Sequence, residues 1–237
     1  MADTETLDDL VRRVDPDRWL ASRFIGDPAA RADVIALVAM NYELARVAGG
    51  VSNALMGEIR LTWWREAMEE IAAGKTPRKH PNVEALAASR IDPNALAAMA
   101  EARFADLDEG PLKDEAAVLA YVDATAGALA VLAARRLDVG ADPHAVKGAA
   151  RAYGLSGLWR LKQAGRSRLP ADWTQADVAR RVEAQLKAAR TEVGGLPVAA
   201  FPAVAPAALA RAYVAGREMG ELEKKARLTF AVAVGRL

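Results

Sequence analysis

Four Asp-Pro pairs constrain the fold of this chain more than any other sequence feature. They are Asp15-Pro16, Asp27-Pro28, Asp92-Pro93 and Asp142-Pro143. An aspartate side chain accepts hydrogen bonds from the free amides at a helix N-terminus, and proline suits the first helical position because its missing N–H needs no acceptor there. Each pair precedes a run with apolar residues spaced at about 3.6 residues. The pairs therefore predict four helix starts.

Glycines supply the predicted helix ends, and no segment has the alternating β-branched pattern of a strand. These glycines are Gly26, Gly49, Gly74, Gly110, Gly140, Gly165 and Gly194. We therefore predict an all-α fold with helices near residues 4–14, 16–25, 28–48, 53–73, 82–90, 93–109, 114–138, 143–164, 175–193 and 206–225. Three prolines within residues 194–210 predict an apolar connection that covers the helices instead of a continuous helix.

Composition narrows the classes of protein that the chain can be. No repeat or linker divides the 237 residues, so we predict one domain over residues 1–237. The net charge of +1 argues against nucleic-acid binding, and the lack of cysteine excludes disulfides and thiolate metal sites. The polar N-terminus MADTETLDDL does not resemble a signal peptide, and residues 116–134 are interpreted as a buried helix instead of a transmembrane segment. We expect a cytoplasmic protein.

Few side chains suggest metal or nucleophilic chemistry. The two histidines, His80 and His144, have no acid at ligand spacing, so both are expected to be exposed and without function. The acidic clusters at 8–9, 66–70 and 106–109 are assigned to solvated helix faces. Under this interpretation the chain has no metal site.

Three motifs occur in an order typical of one known family. They are Arg60-Leu61-x-Trp63-Trp64-Arg65, then Tyr121 with Ala126-Gly127, then Trp159-Arg160 followed by Gly165-Arg166-x-x-Leu169-Pro170. In this order they resemble the squalene/phytoene synthase family over about residues 17–210. The resemblance implies a helical bundle of the isoprenoid synthase type.

Enzymes of that family would bind magnesium through two DxxxD motifs, because magnesium neutralises the departing pyrophosphate. The resemblance places Tyr42, Ala45, Arg46 and Gly49 at the first motif, where the family has an arginine and three aspartates. The second motif falls on the segment from Leu161 to Gly165, which contains no acid and is shorter than in the family. Arg46 and Lys162 would place cations near the metal and repel it.

The same resemblance suggests a pocket for anions or a prenyl group. Its candidate residues are Arg46, Arg60, Trp64, Arg160 and Arg166. Arg60 is expected to be buried, either facing this pocket or paired with a buried carboxylate such as Glu43. At least one of Trp63 and Trp64 is expected to anchor the core.

The function implied by these patterns is binding or assembly without catalysis. A degenerate branch of the family contains assembly factors of respiratory complex I, with similar loss of the aspartates. The expected partners are a lipid or prenyl ligand and a respiratory-complex or membrane-associated protein, with no cofactor, no transmembrane segment and at most a peripheral membrane location. The alternative is an active, magnesium-dependent prenyl-diphosphate transferase; a third possibility is a structural protein without a pocket.

Overall fold

Aspartate-capped helices build the fold in this computed structural model, which describes residues 5–50, 53–108, 110–166 and 168–237. Asp15 accepts a hydrogen bond from the amide of Arg18 at 3.1 Å. Asp27, Asp92 and Asp142 each accept one from the amide two residues ahead. A helix begins at the proline after each of the four aspartates, which confirms the predicted starts.

Backbone contacts group the chain into two compact units, Met1–Glu109 and Gly110–Leu237. The helices of the first unit are α1 (Leu7–Val14), α2 (Pro16–Ser22), α3 (Pro28–Ala45), α4 (Ala54–Ala72), α5 (Pro81–Ala88) and α6 (Pro93–Ala102). Those of the second are α7 (Glu115–Val122), α8 (Ala128–Leu137), α9 (Pro143–Gln163), α10 (Gln175–Glu192), α11 (Ala210–Val214) and α12 (Glu221–Val234). The described residues contain no strand, so the all-α prediction is confirmed. The single domain stays a prediction.

Within the first unit, α4 packs along α6, and α3 packs against α1 and α5. Leu37 and Met40 from α3 and Leu61 and Met68 from α4 are fully buried. Apolar side chains of this kind give up water contact on folding, which is the main stabilising contribution to such a unit.

Within the second unit, α9 is the central helix and packs against α10 and α11. It also contacts a π-helical turn, Asp123–Gly127, which joins α7 to α8. Gly148 allows this close packing, because a Cβ atom there would lie 3.0 Å from the backbone oxygen of Gln185. The second unit therefore depends on a small residue in its central helix.

The connection after α10 matches the prediction, whereas the last predicted helix was wrong. Residues 193–209 form three short 3-10 turns, Val193–Gly195, Val198–Ala203 and Ala205–Leu209, whose Phe201 is buried. The predicted helix over 206–225 is instead the short α11, which ends before Gly216. That glycine has a φ of +68°, a left-handed conformation that stops a helix. A separate helix, α12, follows it.

The continuous helical segment Glu115–Leu137 is long and apolar enough to cross a membrane by length and composition. It is the one such segment in the described part of the chain, and 39% of its most apolar window is buried. Val118, Val122 and Leu129 lie in the core of the second unit, where the segment packs against α9. A core helix of a soluble protein has the same composition, so the absence of a transmembrane segment stays a prediction.

Candidate functional site

The residues predicted to align with the first aspartate motif lie at the end of α3 and in the turn after it. Arg46 caps this end, and its guanidinium donates hydrogen bonds of 2.7 and 2.9 Å to Oε2 of Glu43. The same guanidinium lies 5.5 Å from the ring centroid of Tyr42. Ala45 and Gly49 are exposed and contribute no side-chain oxygen. Glu43, the one acidic residue between residues 42 and 49, is therefore already bound by a cation.

Arg60 is exposed, so the prediction that it is buried was wrong. Its Nη1 donates a hydrogen bond of 3.2 Å to the carbonyl oxygen of Gly50 in the 3-10 turn Ala48–Gly50. The suggested partner Glu43 is bound by Arg46 instead. Arg60 lies near the exposed N-terminal end of α4, and this position leaves its side chain in contact with solvent.

Trp64, one helical turn after Arg60, is a core residue with an exposed fraction of 5%. Its ring lies edge-on to Trp63, with centroids 5.2 Å apart, and to His80, with centroids 5.1 Å apart. The expectation that His80 is exposed was wrong, because this half-buried side chain also caps α5 by accepting a hydrogen bond from the amide of Asn82. His144 is exposed as predicted. Trp64 is therefore part of the core of the first unit, and its role in a pocket stays a prediction.

Arg78 contacts this aromatic group from outside and organises the acids of α4. Its guanidinium lies 5.3 Å from the Trp63 ring centroid and pairs with both Glu66 and Glu70. The hydrogen bond from Arg78 is the main cause that lowers the pKa of Glu70. Glu66 and Glu70 are four residues apart and share one helix face, where both carboxylates are held by Arg78.

The end of α9 carries the second aligned motif and closes with a Schellman motif. The amide of Gly165 donates to the carbonyl of Lys162 at 3.1 Å, and the amide of Arg166 donates to that of Leu161 at 2.8 Å. Gly165 has a φ of +73°, which a side chain would strain. The left-handed turn that ends α9 therefore explains why the Gly-Arg-x-x-Leu-Pro motif has glycine at this position.

The side chains at this end of α9 serve different contacts. Arg160 lies over the ring of Tyr213, 4.4 Å from its centroid. Leu161 and Arg166 are exposed. Trp159 is buried, and its Nε1 has no hydrogen-bond partner among the residues that the structure describes. Of the candidate anion-binding side chains, Arg160 is thus engaged with an aromatic ring, and Arg166 is open to solvent.

Lys162 binds a loop instead of remaining a free cation. Its ammonium group donates hydrogen bonds of 2.8 to 3.2 Å to the carbonyl oxygens of Pro170, Ala171 and Trp173. These acceptors satisfy all three donors of an ammonium group. Lys162 therefore holds the loop after the Leu169-Pro170 motif against α9.

The π-helical turn contains an ion cluster that sequence reasoning missed. Asp123 accepts hydrogen bonds of 2.7 Å from Nε and 2.6 Å from Nη2 of Arg151, and Nζ of Lys147 lies 3.5 Å from its Oδ2. The hydrogen bonds that Arg151 donates to Asp123 are the main cause that raises the pKa of Arg151. Isolated π turns often occur at functional sites. The available signal was Asp123 itself, the single charge in an otherwise apolar segment.

An open groove of about 510 Å³ lies on the second unit between α10 and α11. Glu183 and Arg211 form a bidentate pair at its side, with distances of 2.7 and 2.8 Å. This hydrogen bonding lowers the pKa of Glu183. The lining contains none of the predicted site residues.

The residues that the resemblance predicts at the first metal motif do not supply the ligands of a magnesium site. Magnesium takes oxygen ligands, mainly carboxylates, whereas Ala45 and Gly49 offer none and Arg46 carries a positive charge. Among the residues that the structure describes, no three His, Asp or Glu side chains converge closely enough to hold a metal ion.

The helical fold and the motif order define an isoprenoid-synthase-type protein. The chain belongs to the squalene/phytoene synthase family, whose profile matches residues 11–181. Its relatives include human NADH dehydrogenase (ubiquinone) complex I, assembly factor 6, which is 27% identical over 228 residues. That alignment covers 82% of this chain and 68% of the human protein. The cattle protein of the same name is 26% identical with the same coverage.

Two solved structures share the fold. A dehydrosqualene synthase in complex with ligand has a TM-score of 0.76 at 13% identity and covers 96% of this chain and 94% of its own. Squalene synthase HpnC from Alicyclobacillus acidocaldarius has a TM-score of 0.66 at 14% identity and covers 97% and 92%. At these identities the likeness shows a common fold.

Proposed function

We propose that this protein acts in the assembly of respiratory complex I as a binding factor and does not catalyse prenyl transfer. The observation that carries the proposal is the end of α3, where Arg46 binds Glu43 at the position aligned with the first magnesium motif. The similarity to complex I assembly factors supports the assembly role. We propose a cytoplasmic location, with a lipid or prenyl group as the ligand class.

Electrostatics supports the non-catalytic part of the proposal. Ionisation of a prenyl diphosphate leaves several negative charges on pyrophosphate, and an enzyme must stabilise them where they develop. Guanidinium groups such as Arg60 and Arg166 are exposed and can pair with phosphate. A guanidinium in contact with solvent acts in a high dielectric, so it would replace only a small part of a magnesium clamp.

We expect no release of pyrophosphate when the purified chain is incubated with farnesyl or geranylgeranyl diphosphate, magnesium or manganese, and NADPH. The physical reason is the shortage of free carboxylate ligands at both aligned motifs. The same samples should show weak diphosphate binding that does not respond to magnesium. The measurement is a coupled pyrophosphate assay together with product extraction.

Two variants control this assay. Arg60→Ala removes an exposed candidate anion ligand, and Glu43→Gln removes the one side-chain carboxylate between residues 42 and 49. If the wild-type chain releases pyrophosphate only with magnesium, and either substitution abolishes the release, the protein is the transferase of the alternative hypothesis.

Deletion of the gene in the native host is expected to lower the amount of assembled complex I. The measurement is native gel electrophoresis with an in-gel NADH dehydrogenase stain, with another respiratory complex as the loading control. Expression of the wild-type chain should restore assembly, and Glu43→Gln should restore it equally, because the proposed role needs no metal ligand. Normal levels of complex I in the deletion strain would contradict the assembly role.

A further inference from the structure

The C-terminal helix α12 presents an apolar ridge to solvent. Leu222, Ala226, Phe230 and Val234 follow one another at every fourth position and are all exposed, with exposed fractions of 82% for Leu222 and 66% for Phe230. Residues four apart are neighbours on a helix surface. The ridge therefore runs along the helix for roughly 18 Å at about 1.5 Å per residue.

This ridge is not part of the core of its unit. The opposite side of α12 holds Leu228 and Ala231, which are buried. On that side the helix contacts the 3-10 turns Val198–Ala203 and Ala205–Leu209. Leu228 and Ala231 already anchor α12 to the unit. The exposed Leu222 and Phe230 stay in contact with water and do not contribute to the core.

Cationic side chains lie on both sides of the ridge. On one side, the exposed Lys225 lies one helical turn after the exposed Glu221, which offsets its charge. On the other side, Arg217 and Arg227 both bind the carboxylate of Glu223, which leaves one net positive charge. Residues 217–237 together contain five Lys or Arg and three Glu, although the whole chain is nearly neutral.

We propose that the α12 ridge, formed by Leu222, Ala226, Phe230 and Val234, docks on the surface of a bilayer that contains anionic phospholipids. A convex apolar ridge between cations matches a helix lying in the bilayer interface, where apolar side chains enter the acyl region and cations meet phosphate groups. A groove on a partner protein would instead remove the flanking charges from water, which is unfavourable unless they are paired. The inference goes beyond the assembly role and does not depend on it.

The lack of cysteine in the chain allows a direct test. Ala226→Cys, labelled with an environment-sensitive fluorophore such as NBD, reports on the ridge, and Val139→Cys reports on an exposed site between α8 and α9. With vesicles of phosphatidylcholine plus phosphatidylglycerol, we expect a blue shift and brighter emission at position 226 and no change at 139. Phosphatidylcholine vesicles alone should give a much weaker response, and high salt should reduce the anionic one, because salt screens charge pairing.

Flotation of the unlabelled chain with the same vesicles tests the side chains themselves. Phe230→Ser is expected to lower the partition coefficient roughly tenfold, because the apolar area of one large side chain is lost. Val139→Ser should leave it unchanged, and both variants should keep the wild-type melting temperature because both sites are exposed.

Three outcomes would overturn the proposal. One is an unchanged probe signal at position 226 with anionic vesicles. Another is equal flotation of the wild-type chain and Phe230→Ser. The third is burial of the 226 probe in concentration-dependent dimers without lipid, measured by light scattering, which would assign the ridge to a second copy of the chain.

Discussion

Replacing Trp64 by alanine is expected to lower the free energy of unfolding by about 3–5 kcal/mol, the usual cost of truncating a buried indole. The Trp64 ring is 5% exposed, and it contacts both Trp63 and the half-buried His80 edge-on. Alanine would leave a cavity between α4 and the start of α5, and two rings would lose their packing partner. Equilibrium denaturation followed by far-UV circular dichroism measures the change without relying on tryptophan emission.

Trp63 provides the matched comparison, because it is the same residue type one position away. It is only half-buried, and the guanidinium of Arg78 lies over its ring, 5.3 Å from the centroid. Trp63→Ala should therefore cost clearly less than Trp64→Ala. Equal losses at the two positions, or two near-neutral results, would mean that Trp64 is not the core anchor of this helix.

Local chemistry made part of the fold predictable from sequence. Helix caps are formed by Asp15, Asp27, Asp92 and Asp142. Their carboxylates accept hydrogen bonds from the free amides of the first turn, and the proline that follows needs no acceptor there. The start of α12 had no such signal. Gly220, its N-cap residue, has no side chain to accept a hydrogen bond, so the sequence pattern from 206 onward predicts one helix.

The partners of the side chains at the candidate site are set by tertiary contacts, which sequence spacing does not reveal. The sequence predicts Lys162 as a cation near the second motif, but not its three carbonyl acceptors, which come from a loop eight to eleven residues later. Arg160 stacks on Tyr213, which is far away in the chain. By contrast, the pair of Glu43 and Arg46 is an i, i+3 contact on a helix, and spacing alone could have suggested it.

The resemblance predicted the family and the fold, and the experiments proposed above test the roles of the site residues. Gly165 illustrates the difference. Gly165 belongs to a motif typical of the family, and its left-handed φ independently favours glycine at this position. A residue retained for a turn is compatible with an active enzyme and with a binding protein alike, so only the pyrophosphate and assembly measurements separate these functions.

Gly148→Ala is expected to lower the free energy of unfolding by about 1–3 kcal/mol, the typical cost of overpacking. A Cβ atom at this position would lie 3.0 Å from the backbone nitrogen of Ala189 and from the backbone oxygen of Gln185. Backbone atoms cannot turn away as a flexible side chain can, so α9 and α10 would have to move apart. These two helices form the most extensive helix contact in the second unit, and Gly148→Val should cost more than Gly148→Ala.

Gly157 on the same helix is the control, because an added Cβ atom there meets nothing within 4 Å. Gly157→Ala should raise the free energy of unfolding by roughly 0.5–1 kcal/mol, since alanine loses less backbone freedom in a helix than glycine does. The same chemical change is therefore expected to have opposite signs at two positions of α9. Chemical denaturation of both variants measures the difference. If both substitutions stabilise the protein, α9 and α10 are not packed as closely as the backbone distances at Gly148 require.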